Sequence, residues 1–252
     1  VYVNYQGNKE CEDFIAMTIY LKRIWFSNGI YHHYGSEKFA PEFSPAFLLD
    51  AMKSIEPSLL PLAKGETVDG LFDRLKSAIF DHSFLPKKVN KADGCDLVAT
   101  SACNFYHNVS QHEVEDYYSS LKATVDKNPP SFGLNSRLVK QNGELIEQVW
   151  KIDGMYSKAI EIIVSYLRQA AEYAENEQQQ KIISLLISYY QTGDLRVFDK
   201  YSIEWLKEQD GRIDFINGFI EVYNDPLGLK ASWEGIVEYK DLVATRRTRT
   251  IS

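Results

Sequence analysis

The chain has 252 residues, 44% of them hydrophobic and 25% charged, which is enough apolar material for one large core or two small ones. A formal charge of −7 argues against nucleic acid, whose binding needs a basic field, and no run reaches the roughly twenty apolar residues of a membrane span. Three cysteines, Cys11, Cys95 and Cys103, are odd in number and form no CxxC pair, so they read as reduced thiols rather than a disulfide framework. No signal-peptide pattern opens the chain, and a cytoplasmic setting is expected.

In chain order, residues 10–27 predict an amphipathic helix, with Phe14, Ile15, Ile19, Leu21 and Trp25 near helical spacing and Asn28-Gly29 to end it. A polar aromatic loop through His32, His33 and Tyr34 follows. Residues 44–55 predict a second helix, with Ser44 as N-cap and Pro45 at the first position, where its missing N–H costs nothing. Residues 67–80 predict a third, with Val68, Leu71, Leu75 and Ile79 as its buried stripe; residues 87–98 read as a loop. Ser110 and Glu113 have capping-box spacing at the head of a helix over 110–125, and Asn128-Pro129-Pro130 stops that segment.

Residues 137–152 predict a β-hairpin turning at Gln141-Asn142-Gly143, since Asn and Gly both tolerate positive φ. Helices are predicted over 155–174, 178–190 and 197–207, with Gly193-Asp194 as a break between the last two. After a turn at Gln209-Asp210-Gly211 comes a strand, and residues 232–244 predict a final helix capped by Ser232, ahead of an exposed basic tail, Arg246-Arg247-Thr248-Arg249. Many helices and few strands, without βαβ alternation, make this a mainly α chain with a small β component. It is an α+β fold: a helical domain with a β-hairpin and a cleft-lining strand. No Gly/Ser-rich linker cuts it, so residues 1–252 are expected to form a single domain.

The strand is the most informative segment. Over residues 214–223 the β-branched Ile216, Ile220 and Val222 fall on one side of a period-two pattern and Asn217, Glu221 and Tyr223 on the other. The first set wants a core; a carboxylate and a phenol alternating on the opposite face want water, a partner or a ligand. Asp225-Pro226 ends the strand, because proline lacks the N–H that a ladder needs, and Asp225 reads as the residue that caps the turn. Metal chemistry is not encoded in the histidines: His32, His33, His82, His107 and His112 form no H-E-x-x-H pattern, and His107 and His112 are five apart, a poor helical register for one ion.

The run Gly218-Phe219-Ile220-Glu221, with Tyr223, Asp225-Pro226, Gly228 and Glu234-Gly235, resembles the dipeptidyl peptidase III family of zinc exopeptidases. Its bacterial branch is resembled further through residues 25–30, His32-His33-Tyr34, residues 133–139, Gly154-Met155-Tyr156 and residues 190–195. The resemblance implies a zinc-dependent enzyme that removes dipeptides from peptide N-termini. Glu221 would bind the substrate's free ammonium, Tyr223 would hydrogen-bond its carbonyl oxygen as charge develops, and Glu234 would be a further acidic cleft residue; Asn217 joins them as a substrate-binding candidate by its place on the strand.

The family's HExxGH motif does not occur here, and in the family it follows the matched segment. The chain is therefore expected to be the non-zinc lobe portion of such an enzyme and inactive alone. It would bind no metal of its own, and its partners would be a peptide with a free N-terminus and the zinc-binding lobe of the same polypeptide. Asn224 stands where the better-known eukaryotic pattern has arginine, and Leu229-Lys230-Ala231 replaces a Ser-Arg-Gly type segment, so substrate preference does not carry over. The alternative is a stand-alone, metal-free helical domain that binds peptides or acts as a scaffold.

Overall fold

The computed structural model describes residues 1–125 and 127–251, with the side chains of all of these except Arg249 and Ile251. The fold is α+β, and the chain divides into two compact units, Val1–Ala102 and Cys103–Ser252, at a point with no Gly/Ser-rich linker.

The first unit is built on α1 (Glu12–Ser27), α2 (Pro45–Lys53) and α3 (Val68–Phe80), with a 3-10 turn at Pro57–Leu59. Asn28 takes the left-handed conformation that ends α1, and the Ser44 side chain accepts from the Phe47 N–H at the head of α2. The core joins Phe14, Met17 and Tyr20 of α1 to Phe43, Leu48 and Met52 and to Leu71 and Phe72 of α3. The buried stripe of α1 is thus not the predicted one. Phe14 is in it, but Ile15, Ile19 and Trp25 are exposed. The helix carries apolar residues on two faces, and spacing alone cannot say which is used; Phe43 against the Tyr20 ring decides it, with ring centroids 5.5 Å apart.

In the second unit a three-stranded sheet has the order β1 (Tyr106–His107), β2 (Ser136–Gln141), β3 (Glu144–Val149). The β2–β3 hairpin turns at Asn142 and Gly143, both at positive φ (51° and 87°), as the strand twist demands. The short β1 pairs parallel to β2 and was not evident in the sequence. Helix α4 (Gln111–Ala123) begins with the expected reciprocal cap, Ser110 and Glu113 each bonding the other's backbone.

Helices α5 (Ser157–Glu172), α6 (Glu177–Thr192) and α7 (Leu195–Lys207) pack in succession, with α6 between the other two. Its buried residues Ile182, Ile183, Leu186, Tyr189 and Tyr190 recur at helical spacing and form the spine of the unit. Strand β4 (Ile213–Glu221) pairs antiparallel with β5 (Ser232–Tyr239), and α8 (Leu242–Ile251) follows.

The helix expected over 232–244 is instead β5 and the start of α8. The pattern is that of a strand: Trp233, Ile236, Val237 and Tyr239 have aromatic or β-branched side chains, and Gly235 would weaken a helix by roughly 1 kcal/mol. Pairing with β4 settles the competition. Arg246 and Arg247 are exposed as expected; the side chain of Arg249 lies outside the described residues.

Leu186 is fully buried at the centre of α6. Leu186→Ala is expected to destabilise the second unit by roughly 2–5 kcal/mol, the usual range for a core leucine. Urea unfolding followed by tryptophan emission checks this, since Trp150, Trp205 and Trp233 all lie in that unit.

Candidate functional site

The β4–β5 ribbon is seated on α6 and α7 by side chains that reach its backbone and its polar residues. Gln179 Nε2 donates to the Ile213 carbonyl at 3.0 Å, and Trp205 Nε1 donates to Asp214 Oδ1 at 2.9 Å. Further along, the Tyr190 hydroxyl donates to Asn217 Oδ1 at 2.5 Å and accepts from Trp233 Nε1 at 2.8 Å. Phe219 packs on Trp150, ring centroids 4.7 Å apart. The tyrosine is buried, and desolvation pushes its hydroxyl well above the usual phenol range, so it serves as a fixed neutral link.

The ladder is irregular between Phe219 and Glu221. Phe219 pairs with Trp233, but Glu221 pairs with Ser232, so one residue of β4 is extra. Gly218, one residue upstream of this irregular step, has φ 156°, and a side chain there would meet the Phe198 ring at 2.9 Å. Cross-strand partners share a face. Asn217, Phe219 and Trp233 therefore lie together over Tyr190, while Glu221 is carried to the face of Ser232 and Glu234. The alternation expected to group Asn217 with Glu221 and Tyr223 is broken by the bulge.

Of the four candidates, Glu221 and Glu234 share a face at one end of the ribbon, both half-buried and neither side chain in an ion pair or hydrogen bond among the described residues. Tyr223 follows the strand with 64% of its surface exposed, and its hydroxyl bonds nothing among the described residues. Asn217 has its side-chain oxygen taken by Tyr190. An apolar cleft of about 550 Å³ adjoins the ribbon, lined by Phe105, Trp150, Ile160, Phe219, Ser232 and Trp233 among others; none of the four candidates lines it.

Two further residues, Asp225 and Lys230, shape this end of the ribbon from the connection between its strands. The expectation that Asp225 caps the turn understates it. The carboxylate, 1% exposed, accepts from the Leu227, Leu229 and Lys230 N–H groups and from the Tyr106 hydroxyl at 2.8 Å. Lys230 is 0% exposed. Its ammonium donates to the Tyr118 hydroxyl, to the Gly133 carbonyl at 3.2 Å and to Ser136 Oγ at 3.2 Å, which satisfies all three N–H groups. Both hydroxyls in turn donate to Glu147 Oε1 at 2.6 Å, and that oxygen lies 4.0 Å from the ammonium. Desolvation pulls the lysine down to about 8 against the attraction of Glu147 and Asp225. The only sequence signal for this cell is a lysine set between Leu229 and Ala231 in a weakly polar run.

Among the described residues no group of three or more His, Cys, Asp or Glu side chains is placed to hold a metal ion, and no helix is long and apolar enough to cross a membrane.

Residues 98–251 match the family model described as peptidase family M49. Dipeptidyl peptidase 3 of Mus musculus is 24% identical over 257 residues, which cover 90% of this chain and 33% of that protein. The Homo sapiens protein of the same name is 23% identical over 255 residues, with the same shares. That of Dictyostelium discoideum is 31% identical over 84 residues, 33% of this chain and 12% of its own. Among solved structures, DPP III from Caldithrix abyssi aligns with 94% of this chain and 40% of its own, at 17% identity and a TM-score of 0.49. The chain thus spans about a third of the length of the mouse, rat and human relatives it matches.

The sealed lysine has a pH signature. Between about 8 and its ordinary value of 10.5, an unfolded chain holds the proton on Lys230 and the folded one has released it, so stability rises with pH through this group. In the difference between the wild type and Lys230→Met this rise is expected from pH 8 to 10, read as urea midpoints. Parallel curves for the two proteins would refute it.

Proposed function

The chain belongs to peptidase family M49, and from that premise we propose that it is part of a zinc-dependent dipeptidyl peptidase, in which it supplies a substrate-binding wall for peptides with a free N-terminus. Zinc does not fit the described residues, which offer no group of three ligands. The steps assigned to this chain are therefore binding and polarisation, with hydrolysis completed by a lobe of the same polypeptide outside this chain, and the chain alone is inactive.

The observation that carries the reading is the placement of Glu221 beside Glu234 on one face of the ribbon, with Tyr223 exposed two residues on. Two carboxylates on one face with no protein cation among the described residues offer a ligand ammonium charge-assisted hydrogen bonds. Glu221 is assigned as the anchor for the substrate's α-ammonium, with Glu234 adding negative potential. An anchored N-terminus sets a fixed count of residues to the reacting bond, which is how a dipeptide comes to be the unit released. Tyr223, with its hydroxyl free, is assigned as the donor to the carbonyl oxygen where negative charge develops. Asn217 is given a supporting part: bonded to Tyr190, it holds the ribbon on α6 and meets substrate only through the position of its neighbours.

A second reading, a metal-free domain that binds peptides or acts as a scaffold, draws on the apolar cleft lined by Trp150, Ile160, Phe219 and Trp233. Activity of the complete polypeptide separates the two, because only the first requires hydrolysis.

In that polypeptide Tyr223→Phe is expected to lower kcat by about 10²–10³ with little change in KM, the pattern of a donor used mainly in the transition state. Unchanged turnover removes Tyr223 from the mechanism. Glu221→Ala is expected to weaken binding of a free tetrapeptide more than of its N-acetylated form, measured by calorimetry; equal losses dispose of the ammonium anchor.

A further inference from the structure

The connection between β4 and β5, residues 222–231, buries two ionisable side chains five positions apart, Asp225 and Lys230. The aspartate acts inward. It gathers three backbone N–H groups of its own loop and fixes the turn's shape, and the Gly228 N–H closes the turn on the Asp225 carbonyl at 3.1 Å. The lysine acts outward. Its three N–H bonds run to α4, to the turn before β2 and to β2 itself, and the neighbouring Ala231 N–H donates to the Leu134 carbonyl at 2.9 Å. Tyr106 of β1 holds the aspartate from the same side. Asp225 thus sets the loop's shape and, through Tyr106, shares its seat on the three-stranded sheet, while Lys230 adds the ties to α4 and β2.

The site candidates bracket this loop. Glu221 and Tyr223 leave β4 at one end, Ser232 and Glu234 enter β5 at the other, and Asn224 Nδ2 reaches across to Ser232 Oγ at 3.0 Å. We propose that Lys230 is a positioning residue for the peptide-anchoring site: by fastening the returning end of the loop to α4 and β2, it sets where Glu234 stands relative to Glu221 and Tyr223. This rests on the proposed function above.

Packing alone does not require a lysine here. A buried ion costs several kcal/mol to desolvate, and a methionine fills a similar volume without that cost. What methionine lacks is direction. Three fixed acceptors around an ammonium define one position for its nitrogen, and a fully buried stem limits how far the Lys230 backbone can shift from it, whereas an apolar side chain in the same cell has no such fixed end. The groups facing the ammonium are Tyr118 from α4, Ser136 from β2, Glu147 from β3, Tyr106 from β1 and Asp225 from its own loop, so its charge is balanced inside the cell.

The test compares wild type, Lys230→Met and Tyr118→Phe in the complete polypeptide at pH 7. The readouts are kcat/KM on a tetrapeptide with a free N-terminus, amide exchange at residues 227, 229, 230 and 231, and urea midpoints. Lys230→Met is expected to exchange faster at those amides and to lose about 10²-fold in kcat/KM, the scale of a 1 Å misplacement, with a urea midpoint that falls because Glu147 loses its counter-charge but that leaves the protein folded in the assay. Tyr118→Phe, which removes one acceptor and keeps the charge, is expected to move the first two readouts the same way by less, and it carries the test where the methionine variant does not fold. An active wild type whose variants keep full activity, or lose it only by the fraction unfolded in the assay without urea, overturns the positioning role and leaves the proposed function standing. A wild type that releases no dipeptide overturns the proposed function, and the positioning role with it.

Discussion

An ammonium group sealed from water must find all its acceptors within the protein, and the one on Lys230 organises the second unit around that requirement. Its partners come from α4, from the turn before β2 and from β2, and the two hydroxyls among them converge on Glu147 of β3. Elements far apart in sequence are thereby held to one geometry: the lysine is 112 residues from Tyr118 and 94 from Ser136. Loss of any partner would leave a buried polar group unpaired, which is more costly than never having buried it. The cell therefore acts as a unit, and the loop that contributes the lysine cannot move without breaking it.

The ribbon next to it obeys a different constraint. Its apolar face is pinned to α6 through Tyr190, Asn217 and Trp233, and its far end through Gln179 and Trp205. A regular ladder would then have placed Glu221 on that same packed face, since side chains alternate and position 221 has the parity of 217 and 219. The bulge after Phe219 exchanges the faces. One extra residue moves a carboxylate from a position where it would need a buried partner to the face that carries Ser232 and Glu234. The same irregularity that spoils the strand's pattern is what assembles the two carboxylates.

These two devices differ in how far the sequence reveals them. Local signals are readable: the Ser44 and Ser110 caps and the Asn142-Gly143 turn each depend on residues within a few positions, and each is present in the structure, whereas the alternation of β4 holds only up to the bulge. The segment of β5 reads as helix in the sequence because Ser232 looks like an N-cap, a signal that pairing with β4 overrides. The buried face of α1 was ambiguous for the same reason, since only Phe43 shows which of its two apolar stripes is used. The bulge left one trace, a glycine inside a strand pattern. The Lys230 cell left almost none, because lysine is ordinarily exposed and its partners lie about a hundred residues away. Glu221, Tyr223 and Glu234 are candidates by resemblance to a family and Asn217 by the pattern of the strand, and the structure adds which of them share a face.

Charge placement ties the two devices into one argument. A lysine near two carboxylates would normally neutralise them, and a neutralised pair has little to offer a cationic ligand. Here the nearest buried ammonium is enclosed by its own hydroxyls and balanced by Glu147, with Asp225 turned to the loop's N–H groups and Tyr106. Glu221 and Glu234 enter no ion pair among the described residues, so no cation of this chain occupies either carboxylate. In the proposed enzyme the cationic ligand is the ammonium of a peptide's first residue. A protein that must hold a loop rigidly and yet keep the adjoining carboxylates unsatisfied needs its structural cation sealed and balanced elsewhere, which is what burial of Lys230 beside Glu147 achieves.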